Sequence, residues 1–380
     1  MISNKVKIGI LTSSRADYGI YKPLLNLLKK DKRFDLIIIA FGMHLEKKYG
    51  LTIKDIESDN YKYIIKVNGM PQQDKPLDIS KGYGKIVSSF SNFWNRNKFD
   101  LVFSLGDRFE MNAAVQAGIP FEINFAHLHG GDVTLGSIDN IYRDQISLAS
   151  KLHFTSTKES SDRLKTLMPK NKNIYNVGAL SIDNLNFSKI LKWDKVSKKF
   201  DIPKGDFTLV TFHPETVGLE KNFRHVKILK ESLAELSKII HIVITQTNAD
   251  GLGSLYMDMA NKLKYDFPSK FTLVKSFGKE NYFSAIKNSS FLLGNTSSGI
   301  IEAASFGKYV INVGKRQSGR VRSDNIIDVN FEKDKIIENC KRLISCKPYL
   351  GQNKHWKKDT SKIIIKKLET TLNLNKEHGS

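Results

Sequence analysis

Short apolar runs alternate along the chain with longer segments whose apolar positions recur every three or four residues. The runs have the length of strands buried on both faces and are far shorter than a membrane span. In the first half of the chain they lie at 6–11, 35–41, 63–67, 101–105, 123–128, 151–156 and 174–180. Helical patterns lie between them near 19–30, 79–96, 110–117 and 138–150. This alternation predicts a parallel sheet with crossover helices.

The alternation stops in a polar segment between Gly178 and Gly205 and then restarts. The second set of apolar runs lies at 207–213, 240–246, 271–277, 291–295 and 309–314. Its helical patterns lie near 221–239, 252–265, 279–288, 299–306 and 332–345. We therefore predict an α/β protein with two doubly wound, Rossmann-like domains that face each other across a cleft. The predicted units are an N-terminal domain at 1–178, a C-terminal domain at 179–356, and a terminal helix and tail at 357–380 that could pack back on the first domain.

Composition narrows the class of protein without identifying it. The chain has 380 residues and a formal net charge of +21, which suits either a polyanionic partner or a solvated lysine-rich surface. Basic residues are scattered and accompany no nucleic-acid-reading module, so we expect neither a nucleic-acid nor a membrane partner. The two cysteines, Cys340 and Cys346, lack metal-ligand spacing. With no leader pattern at the start of the chain, we expect a cytoplasmic protein.

Polar and charged residues follow several predicted strands directly. The segments are TSSRAD (12–17), GDRFE (106–110), HLHGGD (127–132), HPET (213–216), NTSSG (295–299) and KRQSGR (315–320). One such cluster can be an ordinary helix cap. Six clusters at the same end of two parallel sheets instead indicate a ligand site, because such sheets bind ligands outside the carboxyl ends of their strands.

The segment after 291–295 has the features of a phosphate site. Thr296, Ser297 and Ser298 precede Gly299 at the start of a predicted helix, where hydroxyls and backbone N–H groups can bind an anion. The segment lacks the Walker lysine and the dinucleotide glycine spacing. Glu302 could accept two ribose hydroxyls, although a first-turn Glu also complements the helix dipole. Arg15, Arg108 and Arg316 would supply cationic donors to a pyrophosphate.

Candidate acids and bases occur in other segments. They are Asp107, His129, Asp132, Asp139 and His213. His127 and His129 alternate on one strand, so only one of them can face the cleft, and we favour His129 because it precedes a glycine pair. The spacing fits no standard zinc site, so we expect neither a metal nor a cofactor.

These motifs together resemble those of the hydrolysing UDP-N-acetylglucosamine 2-epimerases. The segments that carry the resemblance run in order from Arg15 to Arg320 and so cover nearly the whole chain. They are TSSRADYG, GMHLEKKYG, GDRFE, HLHGGDVTLGSIDN, FHPET and GNTSSGIIEAASFGKYVINVGKRQSGR. The resemblance implies the glycosyltransferase-B type of two-domain fold. It also implies conversion of UDP-N-acetylglucosamine and water to N-acetylmannosamine and UDP through a 2-acetamidoglucal, as in sialic acid synthesis.

The resemblance also implies roles for individual residues. Asp107, Asp139 and His213 match catalytic acids and bases, to which we add His129. The residues that match the family's UDP contacts are Arg15, Arg108, Asn248, Thr296, Ser297, Glu302 and Arg316, with the backbone of Ser276 and Phe277 reading uracil. Asp132, Ser298 and Gly299 are expected to line the same site. Gly178 matches the hinge region, and we expect a homo-oligomer, a dimer or a tetramer.

One difference from the sialic-acid members leaves the identity of the sugar substrate undecided. Sialic-acid members have a catalytic Glu where this chain has His129. Enzymes that act on 2,4-diacetamido sugars in legionaminic acid synthesis resemble this chain in having a His at that position. UDP-2,4-diacetamido-2,4,6-trideoxyglucose is therefore the alternative substrate. The Gln-His-Arg motif of the non-hydrolysing sister family is missing from FGMHLEKKYG, which favours hydrolysis. A UDP-sugar glycosyltransferase would share the fold and the UDP site and stays open as another class.

Overall fold

The first half of the chain forms a fully parallel sheet of seven strands. The computed structural model describes residues 5–70, 75–183, 185, 190–245 and 252–372. The strand order is β3-β2-β1-β4-β5-β6-β7. The strands are β1 Val6–Thr12, β2 Phe34–Phe41, β3 Tyr63–Val67, β4 Leu101–Leu105, β5 Phe125–Leu128, β6 Leu152–Thr155 and β7 Ile174–Asn176. The order reverses beside β1, so the carboxyl ends of β1 and β4 border a crevice of the kind that binds nucleotides.

The second half forms a six-stranded parallel sheet of the same kind, in the order β10-β9-β8-β11-β12-β13. Its strands are β8 Phe207–Thr211, β9 His241–Thr245, β10 Phe271–Val274, β11 Leu292–Gly294, β12 Val310–Val313 and β13 Ile326–Val329. The predicted two-domain α/β architecture is confirmed. Each sheet is covered on both faces by helices, which is why its strands read as near-continuous apolar runs.

Helices connect the strands, and several of them are shorter than the sequence pattern predicts. The first-half helices are α1 Arg15–Lys30, α2 Ile53–Ser58, α3 Pro76–Arg96, α4 Phe109–Gln116, α5 Asp139–Ala149 and α6 Lys158–Leu167. The later helices are α7 Trp193–Lys199, α8 Lys221–Leu236, α9 Gly253–Asp266, α10 Lys279–Asn288, α11 Ser297–Ile301, α12 Lys333–Ile344 and α13 Thr360–Thr371. The pattern near 299–306 is a five-residue α-helix followed by a 3₁₀ turn at Ala303–Phe306. Glu302 therefore caps the end of α11 instead of lying within a longer helix.

The carboxyl edges of the two sheets face each other and are in contact. We call this contact the interdomain seam: residues 132–139, which follow β5, lie against residues 315–320, which follow β12. The Leu135 amide donates to the Ser318 carbonyl across the seam at 2.9 Å. A Cβ atom at Gly136 would lie 2.3 Å from the Lys315 carbonyl oxygen. Only glycine allows the two backbones to approach this closely.

The last helix, α13, packs on the first domain although it follows the second in sequence. Ile364 and Leu368 are fully buried in the same apolar core as Tyr21 and Leu24 of α1. At the start of α13, the Ser361 amide donates to the Asp183 carboxylate at 3.0 Å. The chain thus crosses between the domains a second time, after leaving the second sheet.

Gly178 lies where these two crossings meet. Its φ of +88° is in the left-handed region, and a Cβ there would lie 2.7 Å from Cβ of Lys357. The neighbouring Ala179 amide donates to the His355 carbonyl at 2.8 Å. The segment that leaves the first domain is therefore paired with the segment that returns to it.

If α13 is part of the first domain's core, Leu368→Ala should lower the free energy of unfolding by about 2–5 kcal/mol, the usual cost of a cavity at a buried leucine. Lys366→Ala, at an exposed position of the same helix, is the matched control and should change stability little. Urea or thermal unfolding of the full chain measures both. Equal stabilities for the two variants would show that α13 does not contribute to the core.

Candidate functional site

The segment after β1 is a capped helix start that orients Arg15. The Asp17 carboxylate accepts from the Ser14 amide at 3.0 Å, and the Ser14 hydroxyl accepts from the Asp17 amide at 3.4 Å. This reciprocal pair is a capping box with Asp in the position of the usual Glu. Arg15 is the first residue of α1, and its Nε lies 3.2 Å from the Asp55 carboxylate of α2.

The carboxyl end of β4 carries two charged residues with different partners. Gly106 turns the chain with a φ of +76°. Asp107 then pairs with the Arg143 guanidinium of α5, while Nη2 of Arg108 donates to the buried Glu110 carboxylate at 2.9 Å. Burial raises the pKa of Glu110, although the Arg108 charge opposes that shift. The adjacent residues Asp107 and Arg108 therefore belong to separate ion pairs.

Arg143 is a site residue that sequence reasoning missed. Its side chain is only 1% exposed, and a buried guanidinium must be hydrogen-bonded on all sides. Besides Asp107, its Nη1 donates to the Asp132 carbonyl at 2.9 Å and to the Thr134 hydroxyl at 3.1 Å. Burial and the nearby Arg320 charge lower its pKa. Its position one helical turn after Asp139 is the signal that could have identified it, because i and i+4 share a helix face.

The two histidines of β5 and its carboxyl end have different environments. His127 is fully buried and hydrogen-bonded at both ring nitrogens, to the Ser147 hydroxyl at 2.9 Å and the Gly106 carbonyl at 2.8 Å. His129 has a φ of +62°, which is uncommon for a residue other than glycine. No hydrogen-bond partner among the described residues reaches its buried Nε2. His127 therefore belongs to the core, while His129 lies at the edge of the sheet.

Burial makes His129 a neutral imidazole at pH 7. It lowers the pKa of His129 to about 4; Asp132 opposes the shift, whereas Arg320 and His355 add to it. His355 is also fully buried, and its Nε2 lies 3.0 Å from the Val321 carbonyl oxygen. The His129 surroundings thus include residues from the far end of the chain, which no local motif predicts.

Asp132 links the first domain to the second. Its Oδ1 accepts from the Ser160 hydroxyl at 2.6 Å and the Ser156 hydroxyl at 3.2 Å. Its Oδ2 lies 3.4 Å from Nη2 of Arg320 across the seam. Burial alone would raise the pKa of Asp132, but the Arg320 charge and the Ser160 hydrogen bond hold it below its ordinary value.

Asp139 is the first residue of α5 and is contacted by groups from both domains. Its Oδ2 accepts from the Ser137 hydroxyl at 2.7 Å and lies 3.7 Å from Nη2 of Arg316 in the second domain. The Ser137 hydroxyl in turn lies 3.2 Å from the Thr216 hydroxyl. Thr216 is a second residue that sequence reasoning missed; it ends the HPET segment.

His213 is held at the carboxyl end of β8 by Asn295. The His213 amide donates to Oδ1 of Asn295 at 2.7 Å, and Nδ2 of Asn295 donates back to the His213 carbonyl at 2.9 Å. This reciprocal pair joins the ends of the neighbouring strands β8 and β11. It also places the HPET and NTSSG segments side by side.

The NTSSG segment forms a cap followed by a half-buried polar cluster. The Thr296 hydroxyl accepts from the Gly299 amide at 3.1 Å, so Ser297 begins α11. The Ser298 hydroxyl donates to the Glu302 carboxylate at 2.6 Å and lies 3.0 Å from the Tyr282 hydroxyl. Burial raises the pKa of Glu302, while Ser298 and Lys279 oppose that shift.

Lys279 is a further cation near this cluster that the sequence motifs do not include. Burial lowers its pKa to about 8, although the Glu302 and Asp183 charges oppose the shift. Its side chain also approaches α1, since a Cβ at Gly19 would lie 3.7 Å from Cβ of Lys279. The Glu302 cluster therefore lies close to the helix that Arg15 begins.

The segment after β10 contains the residues matched to uracil recognition. Ser276 is exposed, whereas Phe277 is buried, with its ring centroid 4.6 Å from that of Phe200. Phe277 therefore anchors this turn, and its carbonyl accepts from Nδ2 of Asn281 at 2.6 Å. Asn248 lies outside the described residues.

Many of the predicted site residues thus lie in two groups. Asp107, His129, Asp132 and Asp139 belong to the first-domain side of the seam, with Arg316 and its loop neighbour Arg320 opposite them. Thr296, Ser298 and Glu302 form the other group, and Lys279, which was not predicted, lies near them and α1. A cavity of about 140 Å³ inside the second domain, beside Tyr256 and Met259, is lined by none of the predicted site residues.

Two other features bear on the class of site. Across residues 5–70, 75–183, 185, 190–245 and 252–372, no three His, Cys, Asp or Glu side chains are grouped as a metal site requires. Within the same residues, every helix is too short or too polar to cross a bilayer.

Comparison with known proteins gives the family. A sequence profile of the UDP-N-acetylglucosamine 2-epimerase family matches residues 26–369. The GDP/UDP-N,N'-diacetylbacillosamine 2-epimerase (hydrolyzing) of Campylobacter jejuni is 34% identical over 86% of this chain and 84% of its own. The polysialic acid biosynthesis protein P7 of Escherichia coli is 33% identical over 87% of this chain and 84% of its own.

A solved structure shares the fold at low sequence identity. The UDP-GlcNAc 2-epimerase of Methanocaldococcus jannaschii, in complex with UDP-GlcNAc and UDP, superposes with a TM-score of 0.80 at 19% identity, over 96% of this chain and 100% of that one. The sequence motifs, the paired parallel sheets and the profile match agree, and the chain belongs to the UDP-N-acetylglucosamine 2-epimerase family.

Proposed function

We propose that this protein is a hydrolysing 2-epimerase that converts UDP-N-acetylglucosamine and water to N-acetylmannosamine and UDP. The observation that carries the proposal is the seam between the two sheets. There the carboxylates and imidazole of the first domain lie opposite arginines of the second, beside a hydroxyl-rich helix start. A sugar nucleotide needs both kinds of group at once, since one part of it is a dianion and the other must exchange protons.

In this proposal residues from both domains hold UDP. The hydroxyls and amides of residues 296–299 and the guanidinium groups of Arg15, Arg108 and Arg316 bind the diphosphate. Glu302 accepts the ribose hydroxyls, and the backbone at Ser276 and Phe277 reads uracil. Asn248 remains a predicted contact.

The chemistry begins with loss of UDP. The bond between the anomeric carbon and the diphosphate oxygen breaks while a base removes the proton on carbon 2, which leaves 2-acetamidoglucal. The carbon 2 proton is weakly acidic, so the step depends on stabilising the leaving diphosphate, which the arginines would do. Asp107, His129, Asp139 and His213 are the proposed acids and bases.

The second step adds water across the double bond. Hydroxide from water bonds to the anomeric carbon, and a proton is delivered to carbon 2 on the face opposite to the one it left. Inversion therefore needs groups on both faces of the sugar. Residues contributed from β4, β5, α5 and β8 suit this need because they come from separate elements and from both domains.

A second candidate substrate is UDP-2,4-diacetamido-2,4,6-trideoxyglucose. A neutral His129 can both donate and accept a hydrogen bond, whereas a Glu at that position normally only accepts. A donor would suit the carbonyl of an acetamido group at carbon 4. The Campylobacter jejuni relative is likewise named for a diacetamido sugar, N,N'-diacetylbacillosamine. The acid–base set and the UDP motifs are the same for both substrates.

The direct test is incubation with each UDP-sugar in deuterium oxide, with NMR of the products. We expect free UDP without any added acceptor and N-acetylmannosamine that carries deuterium at carbon 2, because the proton is exchanged during elimination and re-addition. Glycosyl transfer to an acceptor as the main reaction, or product with only hydrogen at carbon 2, would contradict the proposal.

A competition assay with both UDP-sugars decides which of them is the preferred substrate. Equal or better use of UDP-N-acetylglucosamine supports the first candidate. A preference above tenfold for the diacetamido sugar that is lost in His129→Glu supports the second.

Glu302→Ala should weaken UDP binding by about 1–3 kcal/mol, the usual loss when buried hydroxyls lose their acceptor. The control is 2′-deoxy-UDP, which lacks one of the hydroxyls. Calorimetry should show that the wild type prefers UDP and that the variant discriminates less. A variant that binds UDP like the wild type would remove Glu302 from the ribose site.

Asp107→Asn should lower kcat by about 10²–10⁴, the usual contribution of a general acid or base, and leave UDP affinity nearly unchanged. Because Asp107 also pairs with the buried Arg143, a melting curve must accompany the kinetics. A folded variant within threefold of wild-type turnover would exclude Asp107 from the acid–base set.

A further inference from the structure

We propose that Thr216 is a positioning residue through which the second domain orients Asp139 of the first. This inference rests on the proposed function, in which Asp139 is one of the acids and bases. Thr216 lies in the loop that follows β8, three residues after His213, and touches the start of α5 across the seam.

Two hydrogen bonds make this contact. The Ile138 amide donates to Oγ1 of Thr216 at 2.9 Å, and the Thr216 and Ser137 hydroxyls are 3.2 Å apart. The first N–H groups of a helix have no partner within the helix and need one from elsewhere. Here a side chain from the opposite domain satisfies such a group, immediately before the proposed acid or base.

Because each hydroxyl has only one proton, the donor in each of these hydrogen bonds can be assigned. The Ser137 hydroxyl has one proton, and a distance of 2.7 Å to Oδ2 of Asp139 shows where it points. The Thr216 hydroxyl must then donate to Ser137. Donors therefore run from Thr216 through Ser137 to the Asp139 carboxylate, so the Thr216 hydroxyl helps to orient the serine that holds Asp139.

Asp139 also lies near Arg316, which is one of the proposed diphosphate ligands. Arg316 lies 3.7 Å from the Asp139 carboxylate and belongs to the loop whose backbone is packed on Gly136. Asp139 is thus placed by two residues of the second domain, Thr216 and Arg316. Acid–base competence at Asp139 depends on the two domains being together.

The variants are Thr216→Val, which keeps the shape and removes the hydroxyl, and Thr216→Ser, which keeps the hydroxyl. We expect Thr216→Val to lower kcat by about ten- to a hundredfold, as misplacement of a reacting group does, with UDP affinity within twofold of wild type. Thr216→Ser should restore kcat to within threefold of wild type.

Thr208→Val is the matched control. Thr208 is fully buried on β8, and its hydroxyl donates to the Phe291 carbonyl at 3.1 Å, away from the seam. We expect this variant to melt at a lower temperature with unchanged kcat. A kcat loss in Thr208→Val equal to that in Thr216→Val would show a general effect of lost stability and overturn the proposal.

Hydrogen exchange tests the contact without any substrate. The Ile138 amide should exchange faster in Thr216→Val than in wild type, Thr216→Ser or Thr208→Val. Equal exchange in all four proteins overturns the proposal. A wild type that is inactive on both sugars would refute the proposed function, and the exchange result would still decide whether Thr216 positions the start of α5.

Discussion

The buried guanidinium of Arg143 is the constraint on which the proposed acid–base side of the candidate site depends. A cation that is 1% exposed is tolerated only when surrounding acceptors replace the water it has lost. Its acceptors are the Asp107 carboxylate, the Asp132 carbonyl and the Thr134 hydroxyl. One side chain of α5 thereby fixes the end of β4 and the segment after β5. Three stretches that are separate in sequence are held in one arrangement.

The same region carries charges that balance one another across the seam. Arg320 lies beside Asp132, and Arg316 lies beside Asp139. Between them, His129 stays neutral because burial and the nearby Arg320 disfavour a further positive charge. The first domain thus presents carboxylates and a neutral imidazole to a cationic loop of the second. A substrate with a diphosphate and an exchangeable proton needs this division of charge.

The fold also ties the two domains together through two segments that cross between them. The chain leaves the first sheet near Gly178, passes through the second and returns so that α13 completes the core beside α1. The returning backbone pairs with the departing one at Ala179 and His355. Two crossing segments therefore connect the domains, in addition to the polar contacts of the seam.

The local sequence determined the strands and helices and the sheet edge at which the candidate site residues lie. The alternation of apolar runs and helical periodicity predicted the parallel sheets, because buried strands and amphipathic helices leave periodic signals within a few residues. The polar clusters after β1, β4, β5, β8, β11 and β12 were likewise visible because they follow strand ends directly. Short elements with few buried residues were missed, such as α6 and the edge strand β13, since their apolar signal is weak.

Only the tertiary structure decided how the candidate residues are used. The burial of Arg143, the His355 neighbour of His129 and the Thr216 contact with α5 join residues that are distant in the chain. The sequence pattern also predicted too long a helix at α11. Such contacts depend on how two folded domains fit together, and that fit is set by the sum of many side-chain shapes and charges, which no short segment contains.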